Sequence, residues 1–189
     1  KIANPYRPGE AAIFKDWKVH GWVDFKDAIA QSANVYFYMI GGGYEDQEGL
    51  GIARLKRYAS LFGLGSMLGI DLPNEKPGLF PDPSIKQQMD PEDPVWRVGD
   101  TYNVSIGQGG VKVTPLQITA MSSAIANGGT LWRPYVRETT LDPSGADIDP
   151  ADQEAIRSDM IVDRHLTLVK DAMRRTVTHG TARLLNDIP

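Results

Sequence analysis

Residues 99–117 read Gly-Asp-Thr-Tyr-Asn-Val-Ser-Ile-Gly-Gln-Gly-Gly-Val-Lys-Val-Thr-Pro-Leu-Gln, and this stretch decides how the chain is interpreted. Its glycines predict a loop. Thr114-Pro115 then predicts a helix start, because threonine caps free backbone N–H groups and proline is favoured at the first helical position. Asn127-Gly128-Gly129 predicts the end of that helix. Apolar side chains at helical spacing predict its buried stripe, which is Ile118, Met121 and Ile125.

Further helices are predicted on both sides of this stretch. A short helix begins near Asp24, which can cap it, and an apolar segment from Asn34 ends at the glycines of 41–43. The spacing of apolar residues predicts another helix over about 50–62. A final long helix is predicted over 163–180, ending at a glycine. Its predicted apolar face is Leu166, Val169, Met173 and Val177.

The remaining segments predict little strand. Residues 71–100 are dense in proline and glycine without a sustained period, which indicates a long surface excursion. Residues 130–141 alternate and are rich in β-branched and aromatic side chains, which predicts a strand. A polar loop follows over 142–152. The predicted fold class is therefore a helix-rich α+β piece.

Composition excludes several classes of function. The 189 residues carry a net charge of −4 and no basic run, so binding of nucleic acid through its phosphates has no support. The chain contains no cysteine, which excludes a disulfide framework and a cysteine-based zinc site. No apolar run approaches the roughly 20 residues of a spanning helix. The chain starts without methionine in a loop-like segment, so we expect an excised piece whose membrane anchor lies outside it.

The first residues with chemical potential are Ser32 and Asn34, in the order Ser-Ala-Asn. A serine and an asparagine two residues apart point the same way only if the backbone between them is extended or turning. Between two helices they could present a hydroxyl and an amide together to a cleft. The same triplet could equally be a simple helix-capping junction.

The glycine-rich stretch and this triplet occur in an order that resembles one enzyme family. Class B penicillin-binding proteins carry three motifs, Ser-x-x-Lys, Ser-x-Asn and Lys-Thr-Gly. Residues 15–38 resemble the approach to the second motif, and residues 62–73 resemble the link after it. Residues 99–134 resemble the segment between the second and third motifs, and residues 173–182 resemble the helix that leads to the third. Within the class, the chain is most similar to the elongation enzymes.

The resemblance implies a serine-type peptidoglycan D,D-transpeptidase. In that family a serine attacks a D-alanyl-D-alanine stem peptide, and an amine of a second peptide takes the acyl group. By motif, Ser32 would relay a proton and Asn34 would bind the amide of the peptide. No Ser-x-x-Lys or Lys-Thr-Gly occurs here. We therefore expect residues 1–189 to be an internal segment of one transpeptidase domain, inactive alone, with most strands of the β-lactamase/transpeptidase-like sheet outside it.

The resemblance also bears on metals and cofactors. Some relatives hold zinc near this motif through aspartate, histidine and a cysteine. Asp16 and His20 stand in similar places, but Ala33 occupies the cysteine position, and two ligands rarely hold zinc. We therefore expect no metal and no cofactor, with His20 as a loop hydrogen-bonder.

The family implies partners and a location for the parent protein. The expected ligands are the peptidoglycan stem peptide and β-lactams, and the expected partners are an elongation glycosyltransferase and scaffold proteins. The expected location is the periplasmic face of the cell membrane.

Three alternatives remain open: a β-lactam-sensing receptor domain, a β-lactamase, and a non-catalytic binding module. The last predicts that Ser32 and Asn34 are buried as caps, whereas a transpeptidase places both on the wall of a cleft.

Overall fold

The computed structural model describes residues 2–3, 9, 11–149 and 153–186. Within them it contains seven α-helices and one short 3-10 helix, none of which is long and apolar enough to cross a membrane. The helices are α1 Phe25–Gln31, α2 Asn34–Gly42, α3 Gly51–Leu61, α4 Pro83–Met89, α5 Val98–Ser105, α6 Pro115–Ala126, α7 Asp163–Thr178 and the 3-10 helix Arg183–Leu185. The prediction of a helix-rich α+β chain is confirmed.

Across the described residues, the strands are short and form two separate antiparallel pairs. Strand β1, Ile2–Ala3, pairs with β2, Ala11–Ala12. Strand β3, Leu131–Trp132, pairs with β4, Ala155–Arg157, through an irregular register. The strand predicted over 130–141 is therefore wrong beyond its first residues. The Arg133 N–H still donates to the Glu154 carbonyl at 2.9 Å, but the next residue is proline, which has no N–H to continue the ladder.

The chain divides into two compact units. The first unit comprises residues 1–55, 81–109 and 168–189, and the second comprises residues 56–80 and 110–167. The site described below lies wholly within the first unit.

Helices α2 and α5 pack closely in the first unit because α2 ends in glycines. A Cβ at Gly41 would overlap the Ser105 hydroxyl, and one at Gly42 would overlap the Tyr102 ring, so only glycine permits this approach. The Tyr102 ring stacks on Tyr38, and its hydroxyl donates to a backbone carbonyl at the end of α2. These contacts hold the C-terminal end of α2, the helix that begins at Asn34.

The second unit is built around Leu68, Ala124 and Leu131. Next to them, Gln117 on α6 is fully buried. Its Nε2 donates to the carbonyls of Ser66 and Pro77, at 2.6 and 2.8 Å, and its Oε1 accepts the N–H of Thr114 at 3.0 Å. The partly buried side chains packed on the core are Phe62, Leu116, Ala120, Ile156 and Met160.

Two predicted apolar stripes need correction. Ile118 on α6 is 42% exposed, because the buried side carries Gln117 and Ala124 instead. A polar residue takes that position because its amide is fully hydrogen-bonded. Met173 on α7 is 40% exposed, whereas Leu166 and Ala172 are buried. The predicted stripe is therefore correct at Leu166 and wrong at Met173, while Val169 and Val177 are half-buried.

Candidate functional site

Ser32 and Asn34 lie at the junction between α1 and α2. Asp24 caps the start of α1 by accepting the Asp27 N–H at 2.8 Å, and Ser32 ends the helix in the left-handed region, with φ 55° and ψ 49°. Ala33 follows with extended backbone, and Asn34 is the first residue of α2. Because the backbone of Ala33 is extended, the side chains of Ser32 and Asn34 can face the same way.

Exposure differs along this junction. Ser32 is exposed, Asn34 is half-buried and Ala33 is buried. The Ala33 N–H donates to the Ala28 carbonyl at 2.9 Å, which closes the last turn of α1. The hydroxyl therefore stands on an anchored but solvent-accessible turn.

The loop before α1 contacts the junction through Asp16 and Trp17. The Trp17 indole N–H donates to the Ser32 carbonyl at 3.0 Å, and the Val35 N–H donates to Asp16 Oδ2 at 3.0 Å. Neither contact is predicted by the sequence. One signal was available: Ala33 cannot cap α2 with its side chain, so the free N–H groups of that helix need an acceptor from elsewhere.

Asp16 also contacts His20, and both side chains are largely buried. His20 Nε2 lies 3.2 Å from Asp16 Oδ1, and the side chains are 5% and 11% exposed respectively. Burial acts to raise the pKa of Asp16. Backbone hydrogen bonds from Val35, Trp17 and Asn34 outweigh it, helped by the charge of His20, so this pKa lies below its ordinary value. Asp16 is thus a carboxylate held ionised at the start of α2.

Asp16 and His20 are the two residues that resemble metal ligands in the sequence. Within the part of the chain that the structure describes, no three histidine, cysteine, aspartate or glutamate side chains form a group that could hold a metal ion. Ala33 offers no ligand atom. His20 Nδ1 is buried without a hydrogen-bond partner among the described residues, so Asp16 is the polar group that fixes its ring.

The end of α7 packs beside the same junction. The Thr181 N–H donates to the Ala30 carbonyl at 3.0 Å, and Arg175 forms an ion pair with Asp27 at 2.8 Å. A cavity of about 460 Å³ lies here, and neither Ser32 nor Asn34 is among its lining residues. The lining residues are Trp17, Lys18, Gln31, His179, Gly180, Thr181, Arg183 and Leu184.

Comparison with known families decides what this arrangement belongs to. The family described as the penicillin binding protein transpeptidase domain matches residues 2–188, which is nearly the whole chain. The chain belongs to the penicillin-binding protein transpeptidase family. The resemblance drawn from the ordered motifs is thereby confirmed.

Several curated relatives of this chain carry the name peptidoglycan D,D-transpeptidase MrdA. The protein from Acinetobacter baumannii is 33% identical over 178 residues, which are 93% of this chain and 25% of the relative. The Escherichia coli K12 protein is 32% identical over 137 residues, 71% of this chain and 20% of the relative. The chain therefore spans about a quarter or less of the length of these relatives.

Solved structures show the same fold. PBP2 of Pseudomonas aeruginosa, in complex with WCK 5153, matches with a TM-score of 0.78 and 28% identity over 97% of this chain and 40% of its own. PBP2 of Helicobacter pylori, in complex with MreC, matches with a TM-score of 0.68 and 33% identity over 89% of this chain and 29% of its own. The fold is thus part of a β-lactamase/transpeptidase-like fold, and the similarity to penicillin-binding protein 2 is confirmed.

Proposed function

We propose that this chain is the central part of a serine-type peptidoglycan D,D-transpeptidase domain, lying between its first and third catalytic motifs. Family membership and the names of the curated relatives support the reaction class. The observation that carries the proposal for the site is the junction itself. Ser32 is exposed on an anchored left-handed turn, and Asn34 begins the next helix.

In this proposal the nucleophilic serine and its lysine come from sequence outside the chain. The serine attacks the penultimate D-alanine carbonyl, and the terminal D-alanine leaves after its nitrogen receives a proton. The Ser32 hydroxyl relays that proton between the lysine and the leaving nitrogen, so it is regenerated in each cycle. The Asn34 side chain hydrogen-bonds the amide of the bound peptide, or of a β-lactam in its place. The 189 residues alone would not be acylated.

Partners and location of the parent protein are proposed on the same basis. Solved relatives include a peptidoglycan synthase complex and a complex of PBP2 with MreC. An elongation glycosyltransferase and a scaffold protein are therefore the proposed partners, at the periplasmic face of the cell membrane.

The exposure of Ser32 argues against the non-catalytic alternative. A binding module that used Ser32 and Asn34 only as caps would bury both, whereas Ser32 is exposed. Its backbone N–H, not its hydroxyl, completes the end of α1. The exposure of residue 32 supports the proposal that a second reacting group reaches its hydroxyl.

The decisive experiment is covalent labelling by a fluorescent penicillin. The 189-residue chain is compared with the full-length protein, meaning this chain with the flanking sequence of its parent. We expect a stable adduct on the full-length protein and none on the chain. Labelling of the chain at Ser32 would overturn the motif assignment, and failure of the folded full-length protein to label would overturn the proposed function.

Replacing Ser32 in the full-length protein tests its role separately. Ser32→Ala removes the proton relay, so we expect the acylation rate constant to fall by about 10²- to 10⁴-fold, the usual contribution of positioned acid–base groups. Ser123→Ala is the matched control, because this serine is exposed on α6 in the second unit. Acylation of Ser32→Ala at the rate of that control would exclude a catalytic role.

A further inference from the structure

Helix α2 begins without a cap of its own. The residue before it, Ala33, has no side-chain acceptor, and the first backbone N–H groups of any helix lack partners inside the helix. Asp16 supplies the missing acceptor from 19 residues earlier, with Oδ2 3.0 Å from the Val35 nitrogen. A carboxylate at this end is also favoured by the positive pole of the helix dipole.

The next residue, Trp17, contacts the other side of the same turn. Its indole N–H donates to the Ser32 carbonyl at 3.0 Å. Asp16 is itself fixed, because Oδ1 accepts the backbone N–H of Trp17 at 2.9 Å and lies 3.2 Å from His20 Nε2. The Trp17 ring meets the His20 ring edge to face, with centroids 5.5 Å apart.

We propose that Asp16 and Trp17 form a clamp that sets the position of Ser32 and Asn34 relative to the reacting groups, with Asp16 as the main positioning residue. The inference rests on the proposed function, since it assigns the clamp to acylation. The two contacts act on the carbonyl of Ser32 and on the backbone just after Asn34. Neither clamp side chain needs to touch the substrate.

The test measures penicillin acylation of the full-length protein and of three variants, together with thermal stability. Asp16→Ala removes the acceptor for α2, and Asp16→Asn keeps one oxygen for it. Asp82→Ala is the matched control, because Asp82 caps α4 through the Ile85 N–H at 2.8 Å, in the same unit but in a different segment.

We expect both Asp16→Ala and Asp82→Ala to lose stability, because each deletes an aspartate cap. Asp16→Ala also deletes the contacts of Asp16 with Trp17 and His20, so stability alone does not decide between the variants. Only Asp16→Ala should slow acylation at saturating penicillin, by about 10- to 100-fold, since small displacements of reacting groups are costly. Asp16→Asn should return the rate to within about threefold of the unmodified protein, because asparagine is as good a cap. The control should stay within about twofold.

The possible results distinguish a failure of the clamp from a failure of the proposed function. If the unmodified protein labels normally and Asp16→Ala labels like the control, the clamp is wrong and the proposed function stands. If the unmodified protein does not label, both fall. If Asp16→Ala fails to fold, Trp17→Phe provides the test. This variant replaces the indole by a phenyl ring, so it keeps an aromatic side chain but loses the hydrogen bond to Ser32, and we expect a roughly 2- to 10-fold slower acylation. An unchanged rate in this variant would overturn the clamp.

Discussion

At the scale of single residues, Gln117 connects three backbone segments of the second unit. Its amide group is shared between the start of α6 and the carbonyls of Ser66 and Pro77. Thr114 and Gln117 also form a reciprocal capping box, in which each side chain accepts the backbone N–H of the other. A buried polar group of this kind stabilises the fold only while its partners are present.

Gln117→Leu should therefore destabilise the protein although leucine is similar in size and apolar. Three backbone groups lose their partner, and we expect a loss of about 1–3 kcal/mol in the free energy of unfolding, measured by urea denaturation. Gln88→Leu on the exposed side of α4 is the control and should change stability by less than about 0.5 kcal/mol. Equal midpoints for the two variants would contradict this account of Gln117.

At the scale of helices, the packing of α2 on α5 depends on the absence of side chains. Gly41 and Gly42 come last in α2, where glycine costs helix stability, yet they admit Ser105 and Tyr102. Because α2 begins at Asn34, this contact holds one end of the helix while Asp16 contacts the other. The orientation of Asn34 therefore depends on both ends.

Gly41→Ala should test this packing. Alanine favours helix by about 1 kcal/mol, but its Cβ would lie 2.6 Å from Ser105 Cβ, and overpacking costs about 1–3 kcal/mol. We expect a net loss of stability in thermal or urea unfolding. The double variant Gly41→Ala with Ser105→Gly should recover much of it relative to the sum of the single changes. Additive effects would show that the two positions do not compete for space.

The helices also show what could be predicted from sequence. Thr114-Pro115 predicted the start of α6 correctly, because cap and proline precede a long apolar segment. Asp82-Pro83 gives the same signal before α4, but α4 was not predicted. This helix is short, has no buried residue and lies among prolines and glycines, so the segment was predicted to be a surface excursion. Helix α5 was missed because Gly99, Gly107 and Gly109 indicated a loop.

The candidate site, too, could be predicted from the sequence only in part. Ser32 and Asn34 could be selected from their spacing and from the ordered motifs around them. The contacts of Trp17 with Ser32 and of Asp16 with Val35 join residues 15 and 19 positions apart across a loop, and no periodicity encodes such pairs. Only the absence of a cap at Ala33 gave a local hint.

At the scale of the whole molecule, the chain corresponds to about a quarter of the length of its Acinetobacter baumannii relative. Among the described residues of the first unit, three apolar side chains are almost fully exposed, namely Val19, Trp22 and Leu184. Single exposed apolar residues are ordinary, but tryptophan is highly buried on average. Under the proposed function, the rest of the transpeptidase domain covers Trp22.

Tryptophan fluorescence tests this expectation. Trp22→Phe is compared with the unmodified sequence, in both the 189-residue chain and the full-length protein, by acrylamide quenching. The difference between the two sequences reports Trp22, which is fully exposed in the chain. We expect strong quenching of this component in the chain and weak quenching in the full-length protein. Equal quenching in both would place Trp22 on the outer surface of the domain.

Because Ser32 lies in a left-handed turn, the residue at position 32 that is best for stability differs from the residue that is best for activity. A residue with a Cβ pays on the order of 1–2 kcal/mol in this conformation, whereas glycine does not. Glycine would improve folding and remove the hydroxyl at once. A library randomised at codon 32 and sorted for stable expression should therefore enrich glycine. The same library, sorted as full-length protein for penicillin capture, should return serine.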